Sequence, residues 1–138
     1  MTGPATRRLV VVAALLTGPD GRALMVRKHG TAPFMQPGGK IEPGEEPLDA
    51  LRRELHEELG LVLAADRFTA LGTFASDAAN EPGFALVAHV WRARVGADEP
   101  HVVAAEIAEA RWVDPGAPDV PLAPLSEHEL LPLLRAEA

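Results

Sequence analysis

Three glutamates at helical spacing are the residues of this chain best suited to chemistry. Glu54, Glu57 and Glu58 occupy positions i, i+3 and i+4, and a helix that turns about 100° per residue puts such positions on one face. Like charges this close destabilise an isolated helix, so the pattern predicts a cationic partner. A hard divalent ion such as Mg²⁺ or Mn²⁺, which prefers oxygen ligands, is the natural candidate.

The glutamates belong to a longer motif with fixed spacing. Its positions, all filled here, are Gly39, Glu45, Arg53, Glu54, Leu55, Glu57, Glu58, Gly60 and Leu61. At average residue usage, a chance match has a probability on the order of 10⁻⁹ per starting position. The motif resembles the Nudix box, the signature of the MutT-like Nudix hydrolases.

The resemblance implies both a fold and a reaction. The expected fold is the Nudix fold, a mixed β-sheet sandwiched between helices. The expected reaction is hydrolysis of a pyrophosphate bond in a nucleoside diphosphate linked to another group, with Mg²⁺ as cofactor and Mn²⁺ as a substitute. The short chain and the run Pro37-Gly38-Gly39-Lys40 favour a nucleoside triphosphate, standard or non-standard, that gives a nucleoside monophosphate and pyrophosphate.

A second hypothesis is a Nudix-fold module that binds a nucleotide without turnover. Such modules often lose one of the acids of the motif, whereas this sequence keeps them all. The intact set favours the enzyme.

The resemblance also implies roles for individual residues. Glu54, Glu57 and Glu58 would hold the metal, and one of them would take a proton from the attacking water. The carbonyl of Gly39 would be a further ligand, as would Glu106, with Glu109 as its alternative. Arg53 and Glu45 would form an internal ion pair that orients the acids.

Candidate substrate-binding residues lie around the motif, and each has a structural alternative. The cations Arg27, Lys28 and Lys40 are candidates for phosphate contacts, or they balance an acidic surface. Phe34 would stack on a base or pack in the core. Asn80 would read a base edge or serve as a turn residue.

Composition narrows the class of protein. The chain has 138 residues, a net charge of −7 and no cysteine, which indicates a single domain over residues 1–138 and excludes disulfides and thiol chemistry. The acidic balance argues against a nucleic-acid partner. Bound metal ions would reverse the local charge where phosphates bind. The family resemblance allows a homodimer.

The apolar run Leu9–Leu16 imitates the start of a signal peptide, but a turn at residues 18–21 follows it and favours a buried strand. The sequence has no stretch near the roughly 20 apolar residues that span a bilayer. We therefore expect a cytoplasmic protein without membrane contact.

The pattern of apolar residues predicts an α/β or α+β chain around a mixed sheet. Strands are expected over residues 7–17, 22–28, 67–76, 84–95 and 107–113, with helices over 47–59 and 126–136. In the first helix, leucines at helical spacing form an apolar stripe, Pro47 suits the first turn and Gly60 suits the position after the last. Ser126 and Glu129 have the spacing of a capping box for the second helix.

Overall fold

The structure is a computed structural model, and it describes residues 7–77 and 83–136. Its strands are β1 (Arg7–Thr17), β2 (Ala23–Lys28), β3 (Gly38–Lys40), β4 (Thr69–Asp77), β5 (Phe84–Arg94) and β6 (Ile107–Val113). Helix α1 spans Pro47–Leu59, and a 3₁₀ turn spans Ala65–Arg67. The terminal helix has a π-helical turn, Ser126–Leu130, that continues as α2, Leu131–Arg135.

The strands form one mixed sheet in the order β4-β5-β1-β2-β6. Central β1 runs parallel to β5, while β2 follows β1 as an antiparallel hairpin. The short β3 also pairs with β1, with Val11 opposite Lys40 and Ala13 opposite Gly38. This pairing fixes the glycine-rich segment beside the middle of the sheet.

Each face of the sheet is covered by a helix. Val12, Ala14 and Leu16 pack with the leucines of α1 on one face, and Ala13 and Leu15 pack with the terminal helix on the other. Strand β1 is therefore buried on both faces from Val12 to Thr17, as a continuous apolar run predicts. The predicted architecture, a mixed sheet between helices, is confirmed.

Helix α1 begins and ends at the residues that the sequence predicts. Pro47 lies in the first turn, and Gly60 ends the helix with φ 66°, a left-handed conformation that glycine adopts without steric cost. Leu51, Leu55 and Leu59 are fully buried, and burying such a side chain contributes about 1.5–3 kcal/mol. These leucines fix the helix on the sheet and so fix the positions of its acids.

Two predictions about local structure differ from the structure. The segment Gly38–Lys40, which lies outside the strands expected from the sequence, is a strand. The capping-box interpretation of Ser126 is wrong, because Ser126 lies inside the helix, is buried, and its hydroxyl donates to Gln36 Oε1. Within the described residues, no helix has the length and apolar character needed to cross a membrane.

Candidate active site

Three carboxylates lie close together beside β3. Glu54 and Glu58 lie one turn apart on α1, and Glu106 lies in the loop before β6; one oxygen from each falls within 4.8 Å of the others. Glu57 is outside this cluster. Its half-exposed side chain lies 3.3 Å from Arg53 Nη1. The structure thus joins two of the three helical acids to the more distant Glu106.

Glu58 is a buried carboxyl in an environment that disfavours its charge. Only 1% of the residue is exposed, and burial, followed by the negative charge of Glu54, raises the pKa of Glu58 well above its ordinary value. Its Oε1 accepts the Gly38 N–H at 3.2 Å, whereas Oε2 has no hydrogen-bond partner among the described residues. Clustered hard oxygens, one of them buried and unpaired, fit a divalent cation.

Arg53 links the loop to the acids. Its Nε and Nη2 donate to Glu45 at 2.8 and 2.9 Å, and Nη1 donates to Glu54 at 2.8 Å. Nη2 also donates to the Lys40 carbonyl at 3.1 Å. The Arg53 hydrogen bonds, followed by the backbone N–H of Glu42, lower the pKa of Glu45 to about 2. The ion pair implied by the family resemblance is present, and it orients Glu54.

The glycines of β3 allow the backbone to approach the acids. A Cβ on Gly39 would lie 2.5 Å from Glu54 Oε2, and a Cβ on Gly38 would collide with the Val12 carbonyl. No side chain fits at either position without movement of these groups. The Gly39 backbone is therefore close to the acid cluster.

A strained loop brings Glu106 to the helix. The N–H groups of Val102 and Ala104 each donate at 2.9 Å to the carbonyls of Leu59 and Glu58, respectively. Such carbonyls at the end of a helix lack partners within it. Between these bonds and Glu106 lies Ala105, whose φ of 55° is unfavourable for a residue with a side chain.

A cleft of about 380 Å³ opens beside the acid cluster. Its polar lining includes Glu54, Glu106, Lys28, Lys40, Gln36 and Ser126, and its apolar lining includes Leu9, Val11, Leu86 and Leu125. Lys28 Nζ lies 3.8 Å from Glu106. Sequence reasoning missed Gln36 and Ser126, since Ser126 carried the signal of a helix cap and Gln36 carried none.

The structure separates the predicted substrate-binding residues. Lys40 lines the cleft. Arg27 is not among the described residues that line the cleft. Its Nη1 donates to the Thr31 carbonyl at 3.0 Å, and its Nη2 lies 3.5 Å from Glu109 Oε1. Glu109 also accepts from Arg111 at 2.6 Å and is absent from the acid cluster formed by the described residues.

Phe34 belongs to the core rather than to the cleft lining. It is 4% exposed, and the Arg111 guanidinium lies 5.8 Å from its ring centre. Its position favours the packing role. Asn80 lies outside the described residues, so its predicted role stays a prediction.

The sequence and the fold match known proteins. The model of the NUDIX domain matches residues 7–134. A MutT NUDIX hydrolase from Burkholderia pseudomallei has a TM-score of 0.73 and 27% identity, with 94% of this chain and 97% of that chain covered. The Escherichia coli dihydroneopterin triphosphate pyrophosphohydrolase shares the fold, with a TM-score of 0.76 and 18% identity over 98% of this chain and 100% of that chain.

Sequence matches to curated proteins are local. An RNA pyrophosphohydrolase from Halorhodospira halophila is 44% identical over 50 residues, which is 36% of this chain and 28% of that protein. One from Pseudomonas putida is also 44% identical, over 36% of this chain and 31% of that protein. The matches thus span about a third or less of these relatives.

The domain match, the mixed sheet between helices and the acids of α1 agree with one another. The chain belongs to the Nudix hydrolase family. Members of this family generally use divalent metal ions, and the cluster of Glu54, Glu58 and Glu106 can supply the oxygen ligands for one.

Proposed function

We propose that this chain hydrolyses a pyrophosphate bond in a nucleoside triphosphate, with water as the other reactant and a nucleoside monophosphate and pyrophosphate as products. The observation that carries the proposal is the acid cluster beside the cleft, in which Glu58 keeps a buried oxygen unpaired among the described residues. A fold built only for stability gains nothing from such a group.

The ligands that we propose for a divalent ion are Glu54, Glu58 and Glu106, which lie close together, with Glu57 and the Gly39 carbonyl as additional ligands. A bound Mg²⁺ or Mn²⁺ would neutralise charge on the non-bridging phosphate oxygens and lower the pKa of coordinated water. Arg53 keeps the Glu54 carboxylate directed toward the cluster.

The cations of the cleft support an assignment of the phosphate contacts. Lys28 and Lys40 line the cleft, whereas Arg27 is not among the described residues that line it, so we assign the phosphate contacts to the two lysines. One of the motif carboxylates accepts the proton of the attacking water. The water oxygen forms the new P–O bond while the bridging P–O bond breaks and pyrophosphate leaves.

The first test removes one acid at a time. In Glu54→Gln, Glu57→Gln and Glu58→Gln, the carboxylate becomes a neutral amide of similar shape, and we expect kcat to fall by at least about 100-fold because the cation site loses charge. The measurement is release of pyrophosphate from a panel of nucleoside triphosphates with Mg²⁺ or Mn²⁺, with products identified by mass. Titration of each variant with Mn²⁺ separates loss of the metal from loss of chemistry.

The matched control for this test is Asp49→Asn, which removes an exposed carboxylate from the first turn of the same helix. We expect it to retain wild-type activity and Mn²⁺ affinity. Glutamine variants that hydrolyse nucleotides at the wild-type rate would contradict the assignment. Tight nucleotide binding by the wild type, without turnover under any divalent metal, would instead support the nucleotide-binding module.

A second candidate function, favoured by the local matches to RNA pyrophosphohydrolases, is hydrolysis of a triphosphate at the end of an RNA. The net charge of −7 disfavours a long polyanion. A triphosphorylated oligonucleotide and the matching nucleoside triphosphate, assayed side by side, distinguish the two. We expect kcat/KM to favour the free nucleotide by about 10-fold or more at physiological salt.

A further inference from the structure

Gln36 stands out as a buried polar side chain with an unused donor. It is 6% exposed and lines the cleft. Its Oε1 accepts a hydrogen bond from the hydroxyl of Ser126, which is 1% exposed. Its Nε2 has no hydrogen-bond partner within the described part of the chain. Buried donors are nearly always paired, so this amide calls for an explanation.

A role in anchoring the terminal helix accounts for the Oε1 atom of Gln36 but not for its Nε2 atom. The bond from Ser126 joins the helix to the segment before β3, and it uses Oε1 alone. An apolar residue of similar size would pack there without a buried donor left over. The Ser126 hydroxyl donates to Oε1, and the NH₂ group of Gln36 is thereby left free to donate to another group.

The cleft that Gln36 lines has aliphatic as well as charged residues. Leu125 precedes Ser126 and lines the same cleft, as do Val11 and Leu86. An aliphatic wall suits a neutral, flat ring, whereas phosphates are drawn to the lysines and to the cation site. Of the two parts of a nucleotide, the heterocycle therefore suits these aliphatic residues better than the phosphates do.

We propose that Gln36, positioned by Ser126, selects the base of the bound nucleotide by donating a hydrogen bond from Nε2 to a ring carbonyl. This inference rests on the proposed function for the identity of the ligand as a nucleotide. A 6-oxopurine presents a carbonyl oxygen where adenine presents an amino group, which is itself a donor. Adenine would leave the Gln36 donor unpaired, and sites of this kind reject such analogues strongly.

The test compares two nucleotides that differ only in the purine. Inosine 5′-triphosphate and ATP share their sugar and phosphates, so the ratio of their kcat/KM values measures the effect of the purine alone. We expect the wild type to favour inosine triphosphate by about 10-fold or more. In Gln36→Met, which keeps the volume and lacks the donor, the ratio should fall toward one through slower use of inosine triphosphate, with Mn²⁺ affinity unchanged.

Ser126 is tested as a positioning residue. Ser126→Ala removes the bond that fixes the amide and should reduce the ratio, whereas Ser126→Thr, which keeps a hydroxyl, should restore it at least in part. Gln36→Glu, which replaces the donor with an acceptor, should favour ATP over inosine triphosphate. A merely structural role would lower stability in these variants while leaving the ratio unchanged.

NMR titration measures the binding of inosine monophosphate and adenosine monophosphate to the wild type. This measurement depends neither on turnover nor on the folding of a variant. Preferential binding of the inosine nucleotide without any hydrolysis would contradict the proposed function and support base selection. Equal binding of the two, binding of neither, or an unchanged ratio in folded Gln36→Met would overturn base selection even in an active hydrolase.

Discussion

Arg53 illustrates how one residue can serve both the loop and the acids. It donates to Glu45 with two nitrogens and to Glu54 with a third, which uses the fork of the guanidinium group. A lysine has the charge but not the fork. Its single ammonium group cannot hold both carboxylates in the same geometry.

We therefore expect Arg53→Lys to lower Mn²⁺ affinity or kcat by about 10- to 100-fold, the usual effect of removing a residue that orients metal ligands. The measurements are Mn²⁺ titration and steady-state hydrolysis of the preferred nucleotide. Arg52→Lys is the matched control, because Arg52 lies on the same helix and donates to the Leu63 carbonyl instead. Retention of wild-type affinity and rate by Arg53→Lys would show that Arg53 only supports the loop.

The site residues that the sequence predicts are those that lie within one short motif. Glu54, Glu58 and Arg53 lie within one short motif, so their spacing was informative. Gln36 and Ser126 are 90 residues apart, and the bond between them depends on the packing of the terminal helix on the sheet. The capping-box pattern is also local, and it predicts a helix cap at Ser126. The pattern is wrong there because the hydroxyl of Ser126 bonds to a residue far away in the sequence.

Among the helices and strands, too, local sequence patterns predict an element correctly, whereas contacts between distant segments are not predicted. Helix α1 was predicted with correct bounds because leucine periodicity, Pro47 and Gly60 all lie within it or next to it. Strand β3 was missed because Gly-Gly-Lys has little strand propensity. It is a strand only through its pairing with β1. The loop before β6 was equally unpredictable, since its bonds to the end of α1 join distant segments.

That loop gives a prediction about stability. Ala105 has φ 55°, and a left-handed conformation costs a residue with a Cβ roughly 1–2 kcal/mol, a cost that glycine avoids. Part of the gain is offset because glycine loses more chain entropy on folding. We expect Ala105→Gly to raise the free energy of unfolding by about 0.5–1 kcal/mol, measured by urea denaturation.

The neighbouring Ala104→Gly is the control, because Ala104 has no positive φ. Glycine there should lower the free energy of unfolding by about 0.5–1 kcal/mol. Opposite signs at adjacent alanines would establish the strain, whereas a loss of stability in both variants would contradict it.

At the scale of the whole molecule, excess negative charge is compensated at specific points where arginines join distant segments. Arg67, in the 3₁₀ turn, donates to both carboxylate oxygens of Glu99 at 2.7 and 3.0 Å and to the Arg94 carbonyl at 2.8 Å. Glu99 also accepts the Gly96 N–H at 2.9 Å. These bonds connect the segment after α1 with the end of β5.

This connection should make stability depend on pH. The hydrogen bonds from Arg67, followed by that from Gly96, lower the pKa of Glu99 to about 2. The folded state therefore favours the ionised carboxylate more than the unfolded chain does, in which the pKa of a glutamate is about 4.3. The stabilisation is complete above that value and is lost as the pH falls toward 2.

The prediction compares Glu99→Gln with the wild type by thermal unfolding across this range. The variant should have a lower Tm at pH 7, by a modest amount because the pair is partly exposed. The difference should shrink below about pH 4.5 as the wild-type carboxylate becomes protonated. Glu129→Gln removes an exposed charge from the terminal helix and should show little difference at any pH. A Tm difference for Glu99→Gln that stays constant down to pH 2 would mean that side-chain shape, and not the ionised pair, joins these segments.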